Sequence, residues 1–286
     1  MPTIDLSFGP LDYRVVGPSS ADAPTVLFVH GFLVNGTLWE PVADRLAATG
    51  IRSVIPDWPL GSHRTPARPD ADLSPTAIGR AVLELLDALD LHDVTLIGND
   101  TGGAICQLAL KGDHHRIGAL VLTNCDAFEN FPPKFFIPLF KLARYRAAVW
   151  VIVQTTRPRV LRHSPLAFGQ LLRRPRNGSI TRGWVQPALS NSQIRRDITR
   201  FARGVTRSEL LDADTWLRNF DKPVRLVWGS RDRHFTVTSA QRLAATFPQA
   251  TVDEIDDATT FISIDCPDAV IDAAAQLAAG PSRRPL

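Results

Sequence analysis

The feature that most constrains this chain is Gly98-Asn99-Asp100-Thr101-Gly102-Gly103, set directly between Val94-Thr95-Leu96-Ile97 and Ala104-Ile105-Cys106-Gln107-Leu108-Ala109-Leu110. The run before it is β-branched and apolar, as in a buried strand, and the run after it reads as a helix. A strand that turns at once into a helix brings backbones very close, and glycines remove the side chains that would collide. The apex residue of such a turn sits in strained backbone with its side chain presented at the end of the strand. Here that residue is a carboxylate, Asp100. The competing reading of the same six residues is a glycine-rich turn whose aspartate merely caps the helix.

The pattern around this turn repeats it. Residues 3–17 alternate apolar and polar around Gly9-Pro10, which predicts an opening hairpin. Strands are expected at Thr25–His30, Ile51–Ile55, Val94–Ile97 (stopped by Gly98) and Ile117–Asn124. Helices are expected at Leu38–Ala48, from Ser74-Pro75 to about Asp90, and from Gly102 to about Leu110. Strand and helix in alternation with short connections predict a parallel sheet with helices on both faces. From Ala127 to Lys222 no strong strand appears, and the segment carries Phe128, Phe131, Phe135, Phe136, Phe140, Trp150 and Trp184. The pattern resumes with strands at Val224–Gly229 and Ala250–Ile255, and helices at Thr238–Thr246 and from Pro267 to about Ala279. The expected fold is α/β, a mostly parallel eight-stranded sheet flanked by helices. Its core covers 1–126 and 223–286, with a helical lid inserted at 127–222.

Three more segments bear on chemistry. His30-Gly31-Phe32 closes the first buried strand, and on such a fold the Phe32 N–H faces the residue at position 100. With the Thr101 N–H it would form a pair of donors able to stabilise a developing oxyanion. His30 is expected to shape the loop by bonding to backbone. Asp57-Trp58-Pro59-Leu60-Gly61 reads as a structural turn with Trp58 at the pocket floor, and His63 after it as a solvated loop residue. Trp228-Gly229-Ser230-Arg231-Asp232 ends the strand after the lid. An acid there lies at the carboxyl edge of the sheet, where α/β proteins bind ligands; alternatively it is a solvated acid beside Arg231 or Arg233.

Taken together, His30-Gly31-Phe32, the D-x-x-x-G at 57–61, the turn at 98–103 and the W-G-x-x-D at 228–232 resemble the α/β-hydrolase superfamily. The resemblance is to the branch holding epoxide hydrolases and haloalkane dehalogenases, over nearly the whole chain. It implies that Asp100 attacks carbon to form an ester, that Asp232 orients a histidine, and that this histidine activates water. It also implies an oxyanion hole at Phe32 and Thr101; His30, Asn99, Trp58 and Tyr145 are the candidate pocket residues.

The chain departs from that branch in specific places. The histidine's position, after the strand Val252-Asp253-Glu254-Ile255, is occupied by Thr260, and the histidines are at 30, 63, 92, 114, 115, 163 and 234. Threonine does not titrate near neutrality and is no ordinary general base. Haloalkane dehalogenases carry tryptophan after the nucleophile and fluoroacetate dehalogenases arginine, where this chain has Thr101. Epoxide hydrolases use two lid tyrosines; here the lid has Tyr145, and the other tyrosine is Tyr13. Three readings stay open. One is a hydrolase of an epoxide, ester or carbon–halogen bond with a relocated base, His234, which shares a face with Asp232 on extended chain. Another is a lyase, isomerase or cyclase using a desolvated Asp100 as acid or base. The last is a ligand-binding homologue without turnover.

The lid aromatics point to an apolar small-molecule substrate. The lid arginines at 144, 146, 157, 159, 162, 173, 174 and 176 read as a solvated face. No His, Cys and carboxylate spacing implies a metal, and no cofactor is implied. Net charge is +3 despite a pI near 9.0, which gives no argument for nucleic acid. The N-terminus lacks the pattern of a secretory signal, apolar runs are too short to span a bilayer, and three cysteines without a C-x-x-C pair suggest a reducing compartment. A cytoplasmic protein is expected, of unspecified oligomeric state.

Overall fold

The β-branched and apolar runs become the strands of one sheet in the computed structural model, which describes residues 1–173 and 178–278. Strands β1 (Thr3–Leu6) and β2 (Gly9–Val16) form the opening hairpin, with Leu6 opposite Gly9. The hairpin therefore turns at Ser7-Phe8, and Gly9 opens β2 instead of forming the turn, its φ of 116° using glycine's freedom. Strand β3 (Thr25–Val29) leads through a 3-10 turn at Gly36–Trp39 into α1 (Glu40–Ala48), then β4 (Arg52–Pro56). Helix α2 (Pro75–Ala88) starts where expected: the Ser74 hydroxyl accepts the Ala77 N–H, and Pro75 occupies the first turn. Strand β5 (Val94–Asp100), α3 (Thr101–Ala109) and β6 (Ile117–Cys125) follow. Strand β5 does not stop at Gly98. Its ladder with β6 continues, through an irregularity, to Asp100 opposite Cys125.

Between β6 and β7 the described elements are all helical: α4 (Ile137–Ala143), α5 (Arg146–Thr155), α6 (Arg159–Arg162), α7 (Ser179–Ser190), α8 (Ser192–Gly204) and α9 (Asp214–Leu217). Strand β7 (Val224–Gly229), α10 (Val237–Ala244), β8 (Ala250–Ile255), α11 (Ile262–Asp265) and α12 (Pro267–Ala278) complete the chain. Position 279, the expected end of the last helix, lies outside the described residues. The eight strands run in the order β1-β2-β4-β3-β5-β6-β7-β8, with β1 and β2 antiparallel to their neighbours and the rest parallel.

Alternation along the strands divides the core in two. Leu27, Val29, Leu96, Leu120, Leu122 and Leu226 face a cluster shared with α2 and α3. Their neighbours Val26, Phe28, Ile97, Val121 and Val227 face another shared with α1 and α12. A strand buried on both faces has no polar side, which is why these runs read as continuous apolar stretches. Phe140, Val149, Ile194 and Phe201 of the inserted helices join the first cluster, so the insertion is anchored by apolar burial. The parallel order places the carboxyl ends of β3, β5, β6, β7 and β8 at one edge, beneath the inserted helices. Among the described residues no helix is long and apolar enough to cross a membrane.

Candidate active site

Asp100 closes β5 with φ 54° and ψ −131°, an unfavourable region for a residue with a Cβ. The turn is enforced by crowding. A Cβ on Gly102 would lie 2.2 Å from the Val29 carbonyl oxygen, and one on Gly31 would lie 2.1 Å from Asp100 Oδ2. The carboxylate makes no side-chain cap to α3, so the capping reading fails. Instead the Phe32 N–H donates to Asp100 Oδ2 at 3.2 Å, and the neighbouring Thr101 N–H favours the charged form of the carboxylate. Of the two N–H groups expected to form an oxyanion hole, that of Phe32 is thus bonded to Asp100 itself. Burial, and secondarily the charge of Asp232, raise the Asp100 carboxyl to about 7 against the opposing effect of these two amides.

A cavity of about 360 Å³ opens above it, walled by Phe32, Phe136, Phe168, Trp184 and Val185 among others. Asp100 is the one acid among the described residues that line it, and no histidine does. The Trp184 indole N–H is committed to Thr37 Oγ1 at 2.8 Å, and the Thr155 and Thr156 hydroxyls donate to helix carbonyls.

Asp232 lies beyond β7, buried rather than solvated. Its Oδ1 accepts the His234 and Phe235 N–H groups at 2.7 and 3.0 Å. Its Oδ2 accepts the Thr260 hydroxyl at 2.7 Å and the Asn124 amide at 3.1 Å. Burial raises its carboxyl, while the Thr260 hydroxyl is the largest opposing influence. The acid is therefore fully bonded to the residue that stands in the histidine's place, and Thr260 is itself fully buried.

The structure does not bring His234 to Asp100. Its ring packs at a tilt against Phe135 and Phe136, at centroid distances of 5.2 and 4.9 Å, and is not part of the cavity wall. Its Nε2 is buried without a hydrogen-bond partner, and desolvation lowers the ring's basicity. Extended chain would put its Cβ on Asp232's side, but the chain turns there to donate two N–H groups to Asp232, which redirects the ring.

Other expectations also need correction. Trp58 is core, with its indole N–H on the Phe28 carbonyl at 3.0 Å, and forms no part of the cavity wall. His30 shapes this loop: its Nε2 accepts the Trp58 N–H at 2.9 Å. Asn99 is buried behind the turn, donating to Thr123 Oγ1 at 2.9 Å and to the Thr260 carbonyl at 2.7 Å. Tyr145 is 66% exposed on the outside of the inserted helices, so it cannot serve the cavity. His63 is buried, not solvated, with Nε2 3.3 Å from Asp197 Oδ2. Of the lid arginines, Arg162 is buried and donates to the Thr156 and Arg157 carbonyls; positions 174 and 176 lie outside the described residues.

One group had no motif to announce it. Asp126, directly after β6, is 1% exposed, and neither carboxylate oxygen has a hydrogen-bond partner. Burial and the charge of Asp100 push its carboxyl well above the ordinary range, with the Thr101 hydroxyl alongside favouring the charged form. Its position after a buried strand, at the sheet edge where ligands bind, was the available signal.

The model of the family described as alpha/beta hydrolase fold matches residues 24–267. A magnesium-chelatase 30 kDa subunit of Rhodobacter capsulatus is 30% identical over 253 residues, 87% of this chain and 84% of that one. A haloalkane dehalogenase of Mesorhizobium japonicum is 31% identical over 114 residues, 40% of this chain and 36% of that one. The crystal structure of an ancestral haloalkane dehalogenase, AncHLD2, superposes with a TM-score of 0.77 at 20% identity, covering 98% of this chain and 100% of the other. Of the first curated relatives matched, the chain spans 44%, 84% and 26% of their lengths.

Proposed function

This chain belongs to the α/β-hydrolase family, and on that premise we propose that it is an enzyme acting on an apolar small molecule through carbon attack by Asp100. The electrophile is an epoxide or a carbon–halogen compound, where the first step leaves an ester on Asp100 and frees an alkoxide or halide, or an ester, where it leaves an anhydride on Asp100 and frees the alkoxide. The observation that carries this reading is the placement of Asp100. Among the described residues it is the one acid lining an apolar cavity, with one carboxylate oxygen fixed by the Phe32 N–H. An oxygen so fixed is oriented, while desolvation keeps the carboxylate free of the water that would weaken its attack. The similarity to a haloalkane dehalogenase supports the same chemistry. Incubation with styrene oxide or 1-chlorohexane, followed by intact mass and peptide mapping, tests it. The expected result is a single adduct on Asp100 that is absent from Asp100→Asn; no adduct with either class overturns the reading.

A second reading is favoured by one specific observation. A carboxyl raised to about 7 is suited to passing a proton at neutral pH, and Thr260 offers no base to finish a hydrolysis. In that reading Asp100 moves a proton in a lyase or isomerase reaction. Turnover in H₂¹⁸O separates the two: label in the product supports hydrolysis, and conversion without label supports proton transfer alone.

A further inference from the structure

We propose that the inserted helices form a docking surface for a membrane bearing anionic phospholipids, centred on Trp150, Val151, Leu161 and Leu166 at the mouth of the Asp100 cavity. Charge segregation is the first observation. Residues 130–196 carry two lysines, eleven arginines and no aspartate or glutamate, in a chain whose net charge is only +3. The rest of the chain is therefore net negative, and the positive charge gathers on the insertion. Solubility needs no such separation, since interspersed charges of both signs supply it. Basic side chains gathered on one element are attracted to the negative potential of an anionic leaflet.

Exposed apolar side chains lie on the same element. Helix α5 buries Val149 and Val153. Its other face carries Trp150 and Val151, each 53% exposed. Residues four apart stack along one helix face, so Val151 leads to Thr155. Thr155 lines the cavity above Asp100, and so do Leu161 and Leu166, which are 49% and 80% exposed. An apolar stripe thus runs along α5 into the cavity mouth. Single apolar residues on a surface are ordinary, but a contiguous patch marks an interaction site.

A basic cavity of about 740 Å³ adjoins the apolar one, with Val185 of α7 in the wall of both. It is lined by Arg157, Arg159, Arg162 and Arg182 and, among the described residues, by no carboxylate. Arg162 is buried and donates to backbone carbonyls, while the other three are exposed. Guanidinium groups match phosphate oxygens in geometry and charge. A nucleic acid would engage the arginines and leave the aliphatic side chains beside them in water. A phospholipid surface satisfies both: headgroup phosphates meet the arginines, and Trp150 and the leucines enter the boundary with the acyl chains. Docked in this way, the cavity mouth opens to the lipid, so an apolar compound dissolved there reaches Asp100 without crossing water. That delivery rests on the proposed function; the docking does not.

Sedimentation with sucrose-loaded vesicles reads the docking without any turnover. The full chain should sediment with vesicles of equal parts phosphatidylglycerol and phosphatidylcholine at about 0.1 M salt, and hardly at all with phosphatidylcholine alone. Each basic residue at an anionic surface contributes about fivefold in affinity, so the double variant Arg144→Gln, Arg146→Gln should bind about twentyfold more weakly, with circular dichroism confirming its fold. Trp150 is the exposed tryptophan, the others being buried or half-buried. Brominated phosphatidylcholine in the same anionic vesicles should therefore quench the fluorescence of wild type and not that of Trp150→Phe, which keeps the apolar contact and still sediments. No sedimentation with the anionic vesicles, equal binding by the double variant, or quenching unchanged in Trp150→Phe overturns the proposal. So does binding of an oligonucleotide without binding of vesicles, which would assign the charge to another polyanion. If the protein docks but styrene oxide and 1-chlorohexane leave Asp100 unmodified, the proposed function fails and the docking surface stands.

Discussion

The Thr260 hydroxyl donates to Asp232 Oδ2 across 2.7 Å, so the buried acid beyond β7 is bonded to a residue that cannot carry a proton onward. The two hold the geometry of an acid–base pair while lacking its base. In the proposed reaction, everything after the first chemical step depends on this exchange.

Restoring the base is the direct test. In Thr260→His the imidazole would meet Asp232, and the styrene oxide adduct on Asp100 should shorten its lifetime by about a hundredfold or more. The larger ring enters a fully buried position, so a stability loss of about 1–3 kcal/mol is expected from overpacking. Adduct decay is followed by intact mass, and stability by urea titration. An adduct equally long-lived in a folded variant argues against a missing base as the bottleneck.

The raised carboxyl of Asp100 sets a pH dependence of stability. Its value moves from 3.8 to about 7 on folding, so the folded state binds the proton more tightly than the unfolded state. Stability from this group is therefore intact below about pH 4 and is lost as pH rises through about 7. At 1.36 kcal/mol for each pH unit, Asp100→Asn should gain on wild type by as much as about 4 kcal/mol between pH 4 and pH 8. Alkylation of Asp100 needs the ionised form, so its rate should climb through the same transition.

Gly31→Ala probes the crowding around the carboxylate. A Cβ there would sit 2.1 Å from Asp100 Oδ2, and the side chain must move away from the Phe32 N–H. Displacements near 1 Å at a reacting group cost about a hundredfold in rate. Circular dichroism should show a folded protein, while adduct formation falls by that factor.

Two substitutions should do little. Tyr145→Phe, on the outer face of the insertion, should change stability by less than about 0.5 kcal/mol and leave the adduct rate untouched. His234→Ala should not prolong the adduct, because the ring packs on Phe135 and Phe136 and not against Asp100. A trapped adduct in that variant would reinstate His234 as the base.

Local pattern alone determined a good part of this protein. Buried strands alternating with helices, the Gly98–Gly103 turn with Asp100 at its apex, and Asp232 beyond β7 follow from side-chain volume, periodicity and backbone strain over a few residues. Thr260 in place of a base was legible there too, because its position is counted from the neighbouring strand. Only the tertiary structure decided which side chains face the cavity. Trp58, Asn99 and Tyr145 were expected beside it, but a hydrogen bond to a distant carbonyl or the outer face of a helix claimed each. His63 and His234 turned on the packing of α8 and of Phe135 and Phe136, elements far away in sequence. The β5–β6 ladder sets the buried Asp126 one residue past Cys125, the partner of Asp100. Such long-range pairing sets which buried groups come together, and no local pattern records it.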